Sequence, residues 1–202
     1  GDLLRDSQHP GWSALPADRL RANLEILAQV CNALHYAHSL DVLHRDVKPD
    51  NVMVGTFGEV YLLDWGLALN LARAEQDGKG IVGTLAYMAP EMLGESEKLS
   101  PRTDVYLLGS TLHKALTGQA RHTGSAHYNV MLRVVKSEPI EYRDEVPQEL
   151  ADLCNRATDR APGDRPESAL AFRQALDRFL EHRGSVTLAD GAHTRLSELR
   201  SA

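Results

Sequence analysis

The sequence predicts a mainly helical bundle with a small β-hairpin laid across it, and three observations support that fold class. A helix beginning near Pro16-Ala17-Asp18 carries Leu20, Leu24, Leu27, Cys31, Leu34 and His38 at spacings of four and three, with Ile26, Val30, Ala33 and Ala37 as a second stripe. A helix apolar over so much of its circumference belongs at the centre of a bundle. Val105 to Leu116 is apolar almost throughout and predicts a second buried helix. Between them, the apolar runs 51–54 and 60–63 flank a turn at Gly55 to Gly58, which is the pattern of a short hairpin.

In chain order, residues 1 to about 15 read as a short helical piece around Leu3 and Leu4, then a polar loop containing Pro10. His35 and His38 fall near the end of the first helix, where dipole or packing roles suit them. Val42-Leu43-His44 reads as a strand. From Leu67 to Val82 the periodicity is lost and Asn, Gln, Asp and Gly gather, which predicts a mobile surface loop. Helical patterns return beyond Pro90. Tyr128 to Val135, Glu149 to Thr158 and Ser168 to His182 read as helices, separated by a loop at 118–124 and a polar connector at 139–147. The last helix has Leu170, Phe172, Leu176, Phe179 and Leu180 on its apolar side. After Gly184 the residues become small and polar, so the chain divides into a domain at 1–183 and a linker or C-terminal extension at 184–202.

The 202 residues suit one domain, or one large lobe of a bigger one. A net charge of −6 offers no basic footprint, so neither nucleic acid nor an anionic membrane is an expected partner of this segment. Cys31 and Cys154 each sit inside a helical apolar pattern. They form no disulfide framework and suit a reducing, cytoplasmic setting. No apolar run approaches the roughly 18 to 20 residues that cross a bilayer, and no signal peptide opens the chain. The Gly1 start points to a processed or engineered boundary.

The chemistry concentrates in His44-Arg45-Asp46-Val47-Lys48-Pro49-Asp50-Asn51 and in Asp64-Trp65-Gly66. An Asp-x-Lys-x-x-Asn string alone is usually a solvated loop. Here all eight consecutive residues match a pattern, and the 13 residues from Asn51 to Asp64 just allow a strand, a turn and a strand to bring Asp64 back to Asn51. Three further stretches match downstream: Gly83-Thr84-Leu85-Ala86-Tyr87-Met88-Ala89-Pro90-Glu91, Arg102-Thr103-Asp104-Val105-Tyr106 and Asp164-Arg165-Pro166. Together they resemble the C-terminal lobe of eukaryotic-type serine/threonine protein kinases, similar to the bacterial members, over residues 1 to about 183.

That resemblance implies ATP and Mg2+ as cofactors and a protein Ser/Thr hydroxyl as substrate. It assigns Asp46 to orient the hydroxyl, Lys48 to reach the transferring phosphate, Asn51 and Asp64 to ligate magnesium, and Met53 to lie against adenine. Trp65 stands where the family usually has Phe and would pack against His44. Arg45 would meet a phosphorylated side chain, Thr84 would bond Asp46 and Lys48, Glu91 would pair with Arg165, and Asp104 would hold the catalytic-loop backbone. Lys48-Pro49 and Gly83-Thr84 point to serine/threonine rather than tyrosine specificity.

Two departures qualify the resemblance. No glycine-rich phosphate loop, Val-Ala-x-Lys lysine or helix-C glutamate precedes residue 44, and the family places all of these in a small N-terminal lobe. The sequence therefore reads as a C-lobe with its N-lobe absent, inactive alone. The face built by the first helix, Met53 and the 52–63 hairpin would be open to a separate N-lobe or to self-association. Second, no Ser, Thr or Tyr lies between Leu67 and Val82. Activation-loop phosphorylation is then not the expected switch, and Glu75 or Asp77 is the expected carboxylate partner of Arg45. A pseudokinase or scaffold lobe is the rival reading, opposed by the presence of Asp46, Lys48, Asn51 and Asp64 together. A small-molecule phosphotransferase is opposed by Ala89-Pro90-Glu91.

Overall fold

The computed structural model describes residues 19–73, 80–94 and 99–184. The central helix α1 (Arg19–Ser39) buries Leu24, Leu27, Cys31 and Leu34 on one stripe and Ile26, Val30 and Ala37 on the next. Helix α2 (Pro101–Thr117) opens on a proline, tolerated at the first helical position because that N–H has no intrahelical partner. Its residues Thr103 through His113 are buried without interruption. Around these pack α3 (His127–Lys136), α4 (Gln148–Ala157) and α5 (169–184). The core joins Leu24 and Leu34 of α1 to Leu107, Leu108 and Leu112 of α2, Leu150 of α4, and Phe172 and Leu176 of α5.

Helix α2 meets α4 so closely that Gly109 has no room for a side chain. A Cβ there would lie 2.7 Å from Ala157 Cβ and 2.9 Å from Thr158 Cγ2. Neither atom is the end of a flexible chain that could swing aside. Gly109→Ala should therefore lower stability by about 1–3 kcal/mol through overpacking, outweighing the ~1 kcal/mol gain in helix propensity. A urea midpoint at or above the parent's would show that the helices separate at little cost.

The strands correct the sequence reading in three respects. Strands β2 (Val52–Val54) and β3 (Val60–Leu62) form the expected antiparallel hairpin, with Val52 opposite Leu62 and Met53 opposite Tyr61. Asn51, however, ends a 3-10 turn (Pro49–Asn51) rather than starting the strand, and His44 lies beyond β1 (Val42–Leu43). The expected loop at 67–82 begins with ordered structure: a 3-10 turn at Trp65–Leu67, then β4 (Leu69–Asn70) paired antiparallel with β1. Leu69 is buried there, and the Leu71 N–H donates to Asp41 O at 2.8 Å. A two-residue strand has no period to read, and its partner lies far back in the chain.

Two buried histidines set the acid limit of this body. His113 Nδ1 lies 2.9 Å from Tyr142 Oη, and His122 Nε2 lies 2.9 Å from Tyr106 Oη. Burial, then the neighbouring Arg121 guanidinium, push His113 down to about 4 and His122 down to about 3 from an ordinary 6.5. Below that ordinary value the unfolded chain binds protons that the folded chain refuses. Their contribution is complete above about pH 6.5 and falls as the pH drops toward 4 and then 3, by about 2 kcal/mol per histidine at about pH 5. Urea unfolding at pH 7 and pH 5 should show this loss; an equal or higher midpoint at pH 5 would refute it.

Candidate active site

The loop between β1 and β2 is shaped by Asp104, which is fully buried in the first turn of α2. Its Oδ2 accepts the His44 N–H and its Oδ1 the Arg45 N–H, both at 2.9 Å. These bonds help hold Arg45 at φ 68°, a left-handed conformation that costs a residue with a Cβ about 1–2 kcal/mol. His44 Nδ1 accepts the Asp46 N–H at 3.2 Å, and Nε2–H donates to Leu63 O at 3.0 Å. That pair of bonds selects one neutral tautomer, and burial lowers the imidazole pKa in the same sense. The Trp65 ring meets His44 edge-on, 4.6 Å between centroids, while its Nε1–H donates to Leu62 O at 3.0 Å.

Both carboxylate oxygens of Asp46 are engaged. Oδ1 accepts the Thr84 N–H at 2.9 Å and the Thr84 hydroxyl at 2.7 Å. Oδ2 accepts Lys48 Nζ at 2.6 Å and Asn51 Nδ2 at 3.0 Å. Lys48 Nζ also donates to Thr84 Oγ1 at 2.6 Å, so carboxylate, ammonium and hydroxyl form a closed triangle. Gly83 lets the downstream segment come this close: at φ 109°, a Cβ would sit 2.8 Å from the Arg45 carbonyl oxygen.

Asn51 and Asp64 are brought together by the hairpin. The Leu63 N–H donates to Asn51 O at 2.7 Å, which places residue 64 beside residue 51. Asn51 Nδ2 is committed to Asp46 O and Oδ2, leaving Oδ1 as its remaining oxygen donor. Asp64 is exposed at φ 62°, its Oδ1 taking only a long 3.4 Å bond from the Gly66 N–H. No group of three or more His, Cys, Asp or Glu gathers among the described residues. Oxygen donors of this kind, on segments paired at this point, suit a hard cation that shares its shell with phosphate and water, as magnesium does. Beside them Met53 is 45% exposed, on a surface with Tyr61, Leu63 and Trp65.

At the far end of the downstream segment, Arg165 locks onto Glu91. Nη1 and Nη2 donate to the two carboxylate oxygens at 2.6 and 2.9 Å. The remaining donors reach Asp159 O, Arg102 O and Arg160 O, so every arm of the guanidinium is satisfied. The group also lies 4.8 Å over the Tyr106 ring, and Thr103 Oγ1 adds a 3.0 Å bond to Glu91 Oε1.

A family profile described as protein kinase domain matches residues 15–178. The chain belongs to the protein kinase family. Among its relatives, the serine/threonine-protein kinase PknD of Chlamydia trachomatis is 36% identical over a match covering 80% of this chain and 20% of PknD. PknB of Mycolicibacterium smegmatis is 32% identical, covering 90% of this chain and 29% of PknB. PknK of Mycobacterium tuberculosis is 37% identical, covering 83% of this chain and 15% of PknK. The chain thus spans less than a third of the length of these kinase relatives.

Within this kinase chain, three contacts escaped the sequence reading. His38 Nε2 bonds Asp104 Oδ2 at 2.8 Å, which makes it more than a helix-terminal residue. Its partner lies 66 positions away, so no local pattern could reveal the pair. Thr103 as a support for Glu91 was likewise unmarked. Arg45 gives its Nε–H to Leu67 O at 2.6 Å. Glu75 and Asp77, the carboxylates expected for Arg45, lie outside the described residues, as do the N-terminal piece at 1–18 and the extension beyond residue 184.

Proposed function

We propose that this chain is the catalytic-loop lobe of a serine/threonine protein kinase. Completed by a nucleotide-holding N-lobe, it would transfer the γ-phosphoryl group of ATP to a protein Ser or Thr hydroxyl. The observation that carries this reading is the closed triangle of Asp46, Lys48 and Thr84, with Asn51 on the same carboxylate and Asp64 beside Asn51. Asp46 would receive the substrate hydroxyl proton as that oxygen bonds to the γ-phosphorus and the bond to the departing ADP oxygen breaks. Lys48 would offset charge on the transferring group. Asn51 and Asp64 would hold Mg2+, whose chemistry is to neutralise the nucleotide phosphates. Serine/threonine specificity is supported by Lys48-Pro49, by Gly83-Thr84 and by the likeness to serine/threonine-protein kinases.

No helix among the described residues is long and apolar enough to cross a membrane, and a cytoplasmic setting is part of the proposal. So is the use of the open surface around Met53 and Tyr61, which suits an N-lobe or a second copy of this chain. Without an N-lobe this segment would not turn over. Mg-ATP binding by calorimetry, on this chain alone and joined to its upstream lobe, tests the reading. Only the two-lobe form should bind nucleotide and phosphorylate a generic protein substrate. Failure of the two-lobe form, with Asp46 and Asp64 intact, would establish a partner-binding scaffold instead.

A further inference from the structure

Arg121, in the loop between α2 and α3, is a buried cation with no carboxylate partner among the described residues. It is only 7% exposed. Its Nε donates to Thr158 Oγ1 at 3.3 Å and its Nη2 to the main-chain oxygen of Glu138 at 2.7 Å, both neutral acceptors. Its Nη1 has no hydrogen-bond partner among the described residues and remains open to solvent. A guanidinium removed from water without an anion is unfavourable unless something else supplies the charge. Arg165, with Glu91 on its fork, shows how the same fold treats a buried arginine whose counter-ion is built in.

Two cavities adjoin Arg121, and Arg133 lines both. The larger, about 570 Å³, is walled by Arg121, His122, Ser125, Asn129, Arg133 and Lys136, among others. Among the described residues Glu138 contributes the only carboxylate of that wall, and it faces Lys136 at 3.5 Å. We propose that this cavity is a binding site for a phosphate monoester dianion. Three cations against one carboxylate give that wall a surplus of two positive charges, in a chain whose net charge is −6; Glu141 and Glu145 line the adjoining cavity instead. Phosphate carries about −1.5 to −2 at neutral pH, where a side-chain carboxylate carries a single charge. Guanidinium groups also match its oxygens in bidentate fashion. His122 is held neutral by burial and by Arg121, so the positive field persists at neutral pH without a protonated imidazole.

The ester could belong to a small metabolite or to a phosphorylated side chain of a docked protein. The His122 N–H donates to Ala86 O at 3.0 Å, which ties the cavity wall to the segment between Thr84 and Glu91. An occupant would therefore stiffen that segment from behind. The inference stands on the loop geometry and does not depend on the kinase reading.

Calorimetric titration of this chain with inorganic phosphate, and with a phosphoserine peptide beside its unphosphorylated form, tests it at constant ionic strength. Saturable binding of the phosphate-bearing probes is expected, weakened about tenfold or more by Arg133→Gln and lost in Arg121→Met. Arg133 is exposed on α3, so its substitution keeps the test valid if Arg121→Met fails to fold. Tighter binding of the phosphopeptide than of inorganic phosphate would support the site and name a protein-borne ester; equal affinities would support it with a small ester. Absence of saturable binding by either probe would overturn the proposal. So would binding that survives Arg133→Gln and Arg121→Met but is lost in Lys48→Met, because the phosphate would then sit at the catalytic loop.

Discussion

Asp46→Asn should slow the proposed phosphoryl transfer by the two-lobe form about 10²- to 10⁴-fold, the usual worth of a positioned general base. Asparagine keeps the size of the side chain but cannot take the hydroxyl proton. It also places an NH2 group within a carboxylate environment that now consists of donors on both oxygens: Thr84 N–H and Oγ1–H on one, Lys48 Nζ and Asn51 Nδ2 on the other. One set of donors would face another, so the triangle that positions Lys48 opens as well. The loss should fall mainly on kcat rather than on the KM for ATP, because Asp64 is untouched and Asn51 keeps its bond to the main-chain oxygen of residue 46. A variant retaining its rate to within about tenfold would remove Asp46 from the reaction.

Breaking the Glu91–Arg165 lock should be the most damaging single change to stability. Arg165→Met strands a buried carboxylate, and Glu91→Gln strands a guanidinium whose side chain is 0% exposed. Removing one partner of such a pair costs about 3–5 kcal/mol. For a domain of this size that corresponds to a fall in melting temperature of roughly 10 °C. The double variant Glu91→Leu with Arg165→Met should recover much of the loss, since replacing both members leaves no charge unpaired. Melting curves of the two singles and the double decide the matter. Singles within about 1 kcal/mol of the parent would show that water reaches the pair and relieves it.

The long elements were legible because their burial is periodic. Helices α1 and α2 declare themselves through apolar stripes that the core then uses, down to Leu24, Leu34, Leu107 and Leu112. The hairpin was legible for a different reason: a turn between two short apolar runs fixes register, and register brings Leu63 back to Asn51. What stayed hidden is structure made by pairing distant short segments. The β1–β4 ladder is two residues long on each side. His38 and Arg121 were equally opaque, because the meaning of each lies in a partner, or the lack of one, that only the folded chain reveals. The chemical assignments of Asp46, Lys48, Asn51 and Asp64 came from resemblance. The geometry supplies the contacts among the first three and a backbone bond that returns the chain before Asp64 to Asn51, and the kinetics proposed above must supply the roles.

The way Asp104 grips the loop has a further consequence. One carboxylate rooted in α2 holds two consecutive amides and the end of α1 at once. The turn carrying Asp46 is thus held by the helical base through buried Asp104, while Met53 and Tyr61 are exposed. A foundation of that kind separates two evolutionary tasks. On the proposed reading, a lobe above the cleft could vary in how it presents nucleotide without altering the floor that Asp104 fixes. On the same reading, regulation from above would work chiefly by admitting or withholding the phosphate donor, while the acceptor side is set by Asp104 from below and by Thr84 from the downstream segment.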